Sequence, residues 1–420
     1  MISEAKLLRK ISFRLIPFMF LMYIVAYLDR VNVSFAALQM NAALGFSAGI
    51  YSFGAGIFFI AYFIFEVPSN LILHRVGARI WMARIMITWG IISSAMMFVK
   101  GPASFYALRF LLGIAEAGFF PGMILYLTYW FPRDARGRAA GRFMTALAIA
   151  GVVGSPISGL LLQLNGTYGL GGWQWLFLIE GIPSIILGVI TFFYLPDSPE
   201  KAKWLTPEEK NWVAGKLDRE RQETSVGGEH STAAALGSVR VWTFAAIYFA
   251  IIMSFYGITF WLPQIVKAFS GMSDLVVGFL TALPYLGASV AMVILSRNSD
   301  LRKERRWHVA LSAMAGGLGL IGAGMAPSPA IELAALTLAA AGIWGTLGPF
   351  WAMSSGSLAG TGAAAGIALI NSVGNLAGFV GPYLVGWVRT KTDSFTWALI
   401  VLALFPITGA LITILTRKTK

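Results

Sequence analysis

The sequence predicts an all-α membrane protein with twelve transmembrane helices in two six-helix bundles. Three observations carry that expectation. The 420 residues are 57% hydrophobic and only 12% charged, with a mean hydropathy of +0.72, whereas soluble domains carry about 25% charged residues. The apolar residues gather into segments of about 20, the length a helix needs to cross the hydrocarbon core. One polar stretch, Pro196 to Arg240, divides those segments six and six.

The segments lie near 14–37, 48–73, 80–99, 104–131, 139–164, 173–195, 241–268, 274–296, 307–326, 329–352, 361–388 and 395–416. Lipid offers no partner to a free backbone amide, so each has to be helical. The start, Met1 to Arg14, is polar and basic and leads into a run long enough to span, so no cleavable leader is expected. There is no cysteine, and His74, His230 and His308 fall in polar loops or at a helix edge. Disulfides and thiolate metal sites are therefore excluded, and no metal or cofactor is expected.

The net charge of +13 invites a nucleic-acid reading, which its placement opposes. Of 32 Lys and Arg residues, 24 lie in the N-terminus, the loops near 74–79, 132–138 and 297–306, the 196–240 stretch and the C-terminus. The opposite loops hold only Lys100, Lys267, Arg389 and Lys391, and Arg30, Arg84, Arg109 and Arg142 fall within spans. The positive-inside rule then puts both termini in the cytoplasm of a chain crossing the inner (plasma) membrane. The basic loops report topology, and no nucleic-acid partner is expected.

The expected organisation is an N-terminal bundle over 1–195, a cytoplasmic linker over 196–240 and a C-terminal bundle over 241–420. Within the linker, Thr206-Pro-Glu-Glu reads as a helix start, with an N-cap Thr, Pro at the first helical position and acids in the first turn; a Gly/Ser/Thr-containing piece, 225–232, follows. This layout suits a carrier with its site at the midplane between halves, although a channel or membrane enzyme can also have twelve spans. A faint internal repeat supports two halves. His74-Arg-Val-Gly-Ala-Arg79 follows the second span, and Ser299 to Arg306 follows the eighth; both are basic turns able to latch neighbouring helix ends.

Function is legible chiefly in charge within the spans, which is costly and usually retained for a purpose. Asp29 and Arg30 stand side by side in the first span, and Arg109 and Glu116 lie in the fourth. A spacing of seven puts Arg109 and Glu116 on one helix face, which cannot look at lipid and should line a central cavity. Arginine stays protonated and offers a planar fork to a carboxylate, so Arg30 and Arg109 are candidate anion clamps. Asp29 and Glu116 are candidate proton carriers, although a static salt bridge between the first and fourth helices would use the same residues. Glu66 and Glu180, each followed by a proline motif, read as structural. Tyr62 sits one turn before Glu66 and can offer its hydroxyl to the cavity. The second half has no acid at mid-depth; its candidates are Tyr256, Gln264, Trp351, Asn371 and Asn375, the two asparagines sharing a face. The glycines of Gly151-Val-Val-Gly-Ser-Pro-Ile-Ser-Gly159 suit close helix packing. No phosphate-cradling Gly-rich loop with Lys-Ser/Thr is present, and no Ser/His/Asp set lies within reach of one face, so neither an ATP-driven pump nor an enzyme is expected.

Several strings in order resemble the major facilitator superfamily and, within it, the anion:cation symporter family. They are Tyr27-Leu-Asp-Arg-Val-Asn32, Glu66-Val-Pro-Ser-Asn70, Arg109-Phe-Leu-Leu-Gly-Ile-Ala-Glu-Ala-Gly-Phe-Phe-Pro-Gly122, Glu304-Arg-Arg-Trp-His308 and Ile370-Asn-Ser-Val-Gly-Asn-Leu-Ala-Gly-Phe-Val-Gly-Pro382. The resemblance is nearest to bacterial carriers of tartrate, phthalate, hydroxyphenylacetate and sugar acids. It implies that Asp29 and Glu116 couple protons, that Arg30, Tyr62 and Arg109 bind the anion, and that Trp351 and Asn371 add contacts from the second half. His74 and Leu301 depart from the superfamily's loop motifs. The expected protein is a monomeric proton symporter importing a small organic carboxylate by alternating access. The rivals are a sodium-coupled or exchange carrier of the same anions, and a receptor or channel.

Overall fold

A computed structural model describes residues 4–132, 135, 146–225, 237–357 and 363–416. Arg142, the start of the fifth span, most of the 132–138 loop, His230 and residues 226–232 of the linker piece lie outside the described residues. The α-helices, in chain order, are α1 (Glu4–Leu44), α2 (Ala48–Val76), α3 (Ala78–Ala95), α4 (Pro102–Glu116), α5 (Phe119–Thr128), α6 (Ala146–Leu162), α7 (Gly172–Tyr194), α8 (Pro207–Ser225), α9 (Val239–Ser270), α10 (Asp274–Arg302), α11 (Arg306–Gly324), α12 (Pro329–Gly345), α13 (Leu347–Ser357), α14 (Ala363–Thr392) and α15 (Phe395–Leu415).

Among the described residues, 11 helical segments are long and apolar enough to cross a membrane, and the shorter apolar helix Ile149–Leu162 falls at the expected fifth span. Large apolar side chains such as Leu71, Ile91, Leu160, Ile186, Phe279, Val293, Leu311, Leu338 and Leu404 point outward from the helices. A soluble fold would bury many of them; a lipid-facing belt needs them where they are.

Three features differ from the sequence expectation. The first helix begins at Glu4, so the polar start is helical. It rests on the linker helix, with Lys10 Nζ 2.7 Å from Glu209 and Lys216 Nζ 3.8 Å from Glu4. The fourth span is broken: α4 ends at Glu116, and Gly118 adopts a left-handed φ of 85° before α5. The Ala117 carbonyl, released by the break, accepts a hydrogen bond from Ser69 Oγ at 2.5 Å. The tenth span is also interrupted, at Thr346, whose hydroxyl turns back to the Ile343 carbonyl at 2.6 Å. The break in the fourth span directly follows Glu116, and the two breaks fall at corresponding places in the two halves.

The linker helix starts as expected. Thr206 Oγ1 accepts from the Glu209 amide at 3.3 Å, while Glu209 Oε2 accepts from the Thr206 amide at 2.9 Å, a reciprocal capping box. The two basic turns act within their own halves. Arg79 pairs with Asp197 at 3.5 Å, just beyond α7. Arg306 donates to the Thr413 carbonyl at 3.2 Å and to the Ile414 carbonyl, at the end of α15. Each turn thus ties the start of its third span to the end of its sixth.

The halves meet where α2 packs on α14, α6 on α10 and α1 on α9. The α6–α10 contact is backbone against backbone. A Cβ on Gly278 would lie 2.7 Å from the Ser155 carbonyl, and one on Gly159 would lie 3.1 Å from Gly278 Cα. This is the close approach the glycine run implied.

Candidate functional site

Arg30 of α1 and Glu116 of α4 meet at the interface between the bundles. Arg30 donates through one guanidinium nitrogen to Glu116 Oε1 and through the other to the Tyr256 hydroxyl at 3.4 Å. The ion pair therefore joins α1 to α4, and Arg30 also reaches α9 of the other half. Its guanidinium carbon lies 5.6 Å from the Phe58 ring centre and 5.5 Å from that of Tyr62. Aromatic faces stabilise a cation where water is scarce. The pair is not saturated: among the described residues, Glu116 Oε2 and Arg30 Nε are buried without a partner. Arg30 keeps 12% of its side chain exposed and Glu116 none. The guanidinium is thus the more accessible member of the pair.

Arg109 is placed differently. It is 1% exposed, and its Nε and a terminal nitrogen donate to the Gly54 and Ala55 carbonyls of α2 at 3.2 and 3.1 Å. Its guanidinium carbon is 5.1 Å from the Phe58 ring centre, so Phe58 is shared by both arginines. Arg109 supplies positive potential and braces α2. Its hydrogen bonds in this state are to backbone, and Glu116 takes Arg30 as its partner instead.

Asp29 turns away from Arg30, because adjacent residues on a helix point about 100° apart. It is fully buried inside the first bundle. Its Oδ1 accepts from Ser93 of α3 at 2.8 Å and its Oδ2 from Ser184 of α7 at 2.5 Å. The two candidate proton carriers thus occupy separate compartments on either side of α1.

The second half brings Tyr256 to the pair, with its ring 4.4 Å from that of Phe59. Trp351 packs on Tyr248 at 4.9 Å. Asn371 and Asn375 are half-buried on α14. Tyr62, 5% exposed, faces Arg30. Gln264 sits farther along α9, where it accepts from Asn41 at 3.4 Å.

Away from the chain termini, the bundles are sealed. Tyr51 donates to the Phe260 carbonyl at 2.5 Å and packs edge-on against Trp261 at 4.9 Å. Closer to that face, Gln39 donates to Asp274 at 2.8 Å, and Lys267 pairs with the same carboxylate at 2.9 Å. Above the seal lies a cleft of about 510 Å³ lined by residues including Asn41, Gln264, Lys267 and Arg389. The sequence reading passed over Phe58, Phe59, Tyr51, Ser93 and Ser184. Phe58 stands one turn before Tyr62, a spacing that places it on the same face; hydroxyl partners such as Ser93 and Ser184 leave no comparable pattern.

Helices of this order, with an ion pair held between two bundles, are those of a membrane transporter. The Major Facilitator Superfamily pattern matches residues 19–382, and the chain belongs to that family. It is 51% identical over 417 residues to a protein of Agrobacterium vitis named "Putative tartrate transporter", covering 99% of this chain and 92% of that one. It is 42% identical over 410 residues to a quinolone resistance transporter of Acinetobacter baumannii, covering 98% and 94%. Among solved structures, a bacterial homologue of the human lysosomal transporter Spinster matches with a TM-score of 0.80 at 16% identity, over 97% of this chain and 96% of that one. That likeness speaks for the fold.

Proposed function

We propose that the protein is a proton-coupled importer of a small organic carboxylate, working by alternating access between an N-terminal bundle (1–195) and a C-terminal bundle (241–420). The observation that carries this reading is the half-satisfied Arg30–Glu116 pair at the bundle interface. A substrate carboxylate competes with Glu116 for the Arg30 fork. Once displaced, Glu116 is a buried carboxylate without its cation, and it becomes favourable for it to take a proton. Substrate and proton then occupy the carrier together, the proton offsetting one carboxylate charge before the bundles rock. Asp29 is the second proton site. Tyr62, Tyr256, Trp351, Asn371 and Asn375 surround the anion's remaining groups, and Arg109 supplies positive potential from behind Phe58.

The lysine and arginine distribution supports cytoplasmic termini in a bacterial inner membrane. In that orientation the Tyr51–Phe260 and Gln39–Asp274 contacts join the bundles on the external side. The relatives named for tartrate support a hydroxy-dicarboxylate as the first substrate to try. The chain acts as a monomer in this scheme.

The test is uptake into proteoliposomes of labelled tartrate, phthalate, a sugar acid and a quinolone, under a proton gradient, a sodium gradient or neither. Accumulation of one acid that collapses with a protonophore supports the reading. Accumulation under sodium alone, or exchange without accumulation, favours the rival carriers. The Glu116→Gln variant is expected to exchange substrate but not to concentrate it; wild-type accumulation by that variant would remove Glu116 from coupling.

A further inference from the structure

We propose that the cleft above the Tyr51–Phe260 seal is a second anion site, which captures a small organic carboxylate on Arg389 ahead of the central Arg30. This rests on the reading of the chain as a carrier of organic carboxylates, and it uses residues that the transport scheme leaves idle.

Both halves build the cleft. Asn41 comes from α1, Ser47 and Ala48 from the start of α2, Gln264 and Lys267 from α9, and Arg389 from α14. Its volume of about 510 Å³ falls among small-molecule pockets, which run from about 300 to 1,000 Å³.

Arg389 is half-buried and is held by rings rather than by acids. Its guanidinium carbon lies 4.0 Å from the Phe395 ring centre and 5.6 Å from that of Trp261. Among the described residues the guanidinium has no hydrogen-bond or ion-pair partner. Ring faces stabilise a cation without using its N–H donors, so the fork is open to a carboxylate. Lys267 is committed elsewhere, donating to Asp274 at 2.9 Å and to the Met272 carbonyl at 2.7 Å. Asp393 is the acid among the lining residues; it is exposed, and water and salt screen its charge. The positive end of α2, at Ser47 and Ala48, adds to the attraction for an anion.

The cleft also has polar groups to spare. Asn41 donates to Gln264 Oε1 at 3.4 Å, while Asn41 Oδ1 and Gln264 Nε2 are buried without a partner among the described residues. One acceptor and one donor are left over. The hydroxyl of a hydroxy acid donates and accepts, and it matches both once the amides turn to it. Trp261 links the cation to the seal, because the same ring packs edge-on against Tyr51 at 4.9 Å. An anion on Arg389 therefore waits one side chain from the contact that has to part.

The chain has no cysteine, so Ala42→Cys, at an exposed position of the lining, gives a lone thiol in the cleft. This variant, purified into nanodiscs of zwitterionic lipid, is labelled with an uncharged thiol reagent, alone or with tartrate, phthalate, a sugar acid or sulfate. One of the organic acids is expected to slow labelling, and that protection should survive Arg30→Gln. In Arg389→Gln the same protection should need about tenfold more acid or beyond, the loss of a charged hydrogen bond. Arg389→Lys keeps the charge on the rings but loses the fork, and should shift protection the same way if Arg389→Gln does not fold. Protection by none of the organic acids, equal protection by sulfate, loss of protection with Arg30→Gln, or protection unchanged by the Arg389 variant that folds each overturns the proposal. Proteoliposomes that accumulate none of the acids, with protection intact, would sink the transport reading and leave the cleft site standing; accumulation without protection would do the reverse.

Discussion

Replacing Gly118 with alanine tests whether the break in the fourth span holds Glu116 in place. Two costs can be worked from the structure. The left-handed φ of 85° at Gly118 is open to glycine, and an L side chain there costs about 1–2 kcal/mol. The new Cβ would lie 2.4 Å from Ser69 Oγ and 2.8 Å from Ser69 Cβ. Ser69 has to move, and its hydroxyl holds both the Ala117 carbonyl at 2.5 Å and the Trp81 indole nitrogen at 2.9 Å. Leaving a buried carbonyl unpaired costs about 1–3 kcal/mol. The sum is about 2–5 kcal/mol, enough to move the end of α4 and the carboxylate it carries. Chemical unfolding in detergent measures the loss, and substrate affinity reports the displacement of Glu116. A double-mutant cycle with Ser69→Ala separates the parts, because the Oγ clash then vanishes and about 1 kcal/mol or more should be shared between the two changes. Wild-type stability and affinity in Gly118→Ala would refute the reasoning.

Arg30→Lys keeps the charge but loses the fork to Glu116 and Tyr256; at about 1.5–3 kcal/mol for a charged hydrogen bond, substrate affinity should fall by about tenfold or more, read by equilibrium binding. Glu304 caps α11 through the Trp307 and His308 amides. Burial pushes its carboxyl up, but those amides and the His308 ring outweigh it and hold Glu304 below the usual carboxylate range. Its contribution is therefore complete above about pH 4.3, the ordinary glutamate value, and disappears as pH falls through the lower folded value. Glu304→Gln should cost about 0.5–1 kcal/mol at neutral pH and almost nothing in acid, measured by melting at both. Gln39→Ala removes a link across the seal. Because the chain has no cysteine, a lone Ser52→Cys reporter in the α2–α14 contact can read opening, and thiol labelling should rise by about tenfold.

Much of the architecture was legible because bilayer thickness imposes a length and lipid forbids open backbone. Those constraints fixed the spans near their observed places, and turn chemistry located the start of α8 at Thr206. The breaks after Glu116 and at Thr346 were not legible. An apolar count runs through Ala117-Gly118, and the compensating donor, Ser69, lies on another helix. Within the site, residue types identified the charged groups, but pairing followed three-dimensional neighbours. Arg109 shares a helix face with Glu116, yet it is held by the Gly54 and Ala55 carbonyls, and backbone acceptors leave no mark in a sequence. Helix geometry alone would have turned Asp29 from Arg30. Glu180 reads from the sequence as a structural residue before Pro183; its partner Ser158 comes from another helix and leaves no local mark.

The Arg79–Asp197 and Arg306–Thr413 ties give each half its own buckle. These two ties close within a half, without the covalent strand that leads to the other. The two halves should therefore be separable genes: made as independent polypeptides, cut between α8 and α9, they should find each other in the membrane and restore a working carrier.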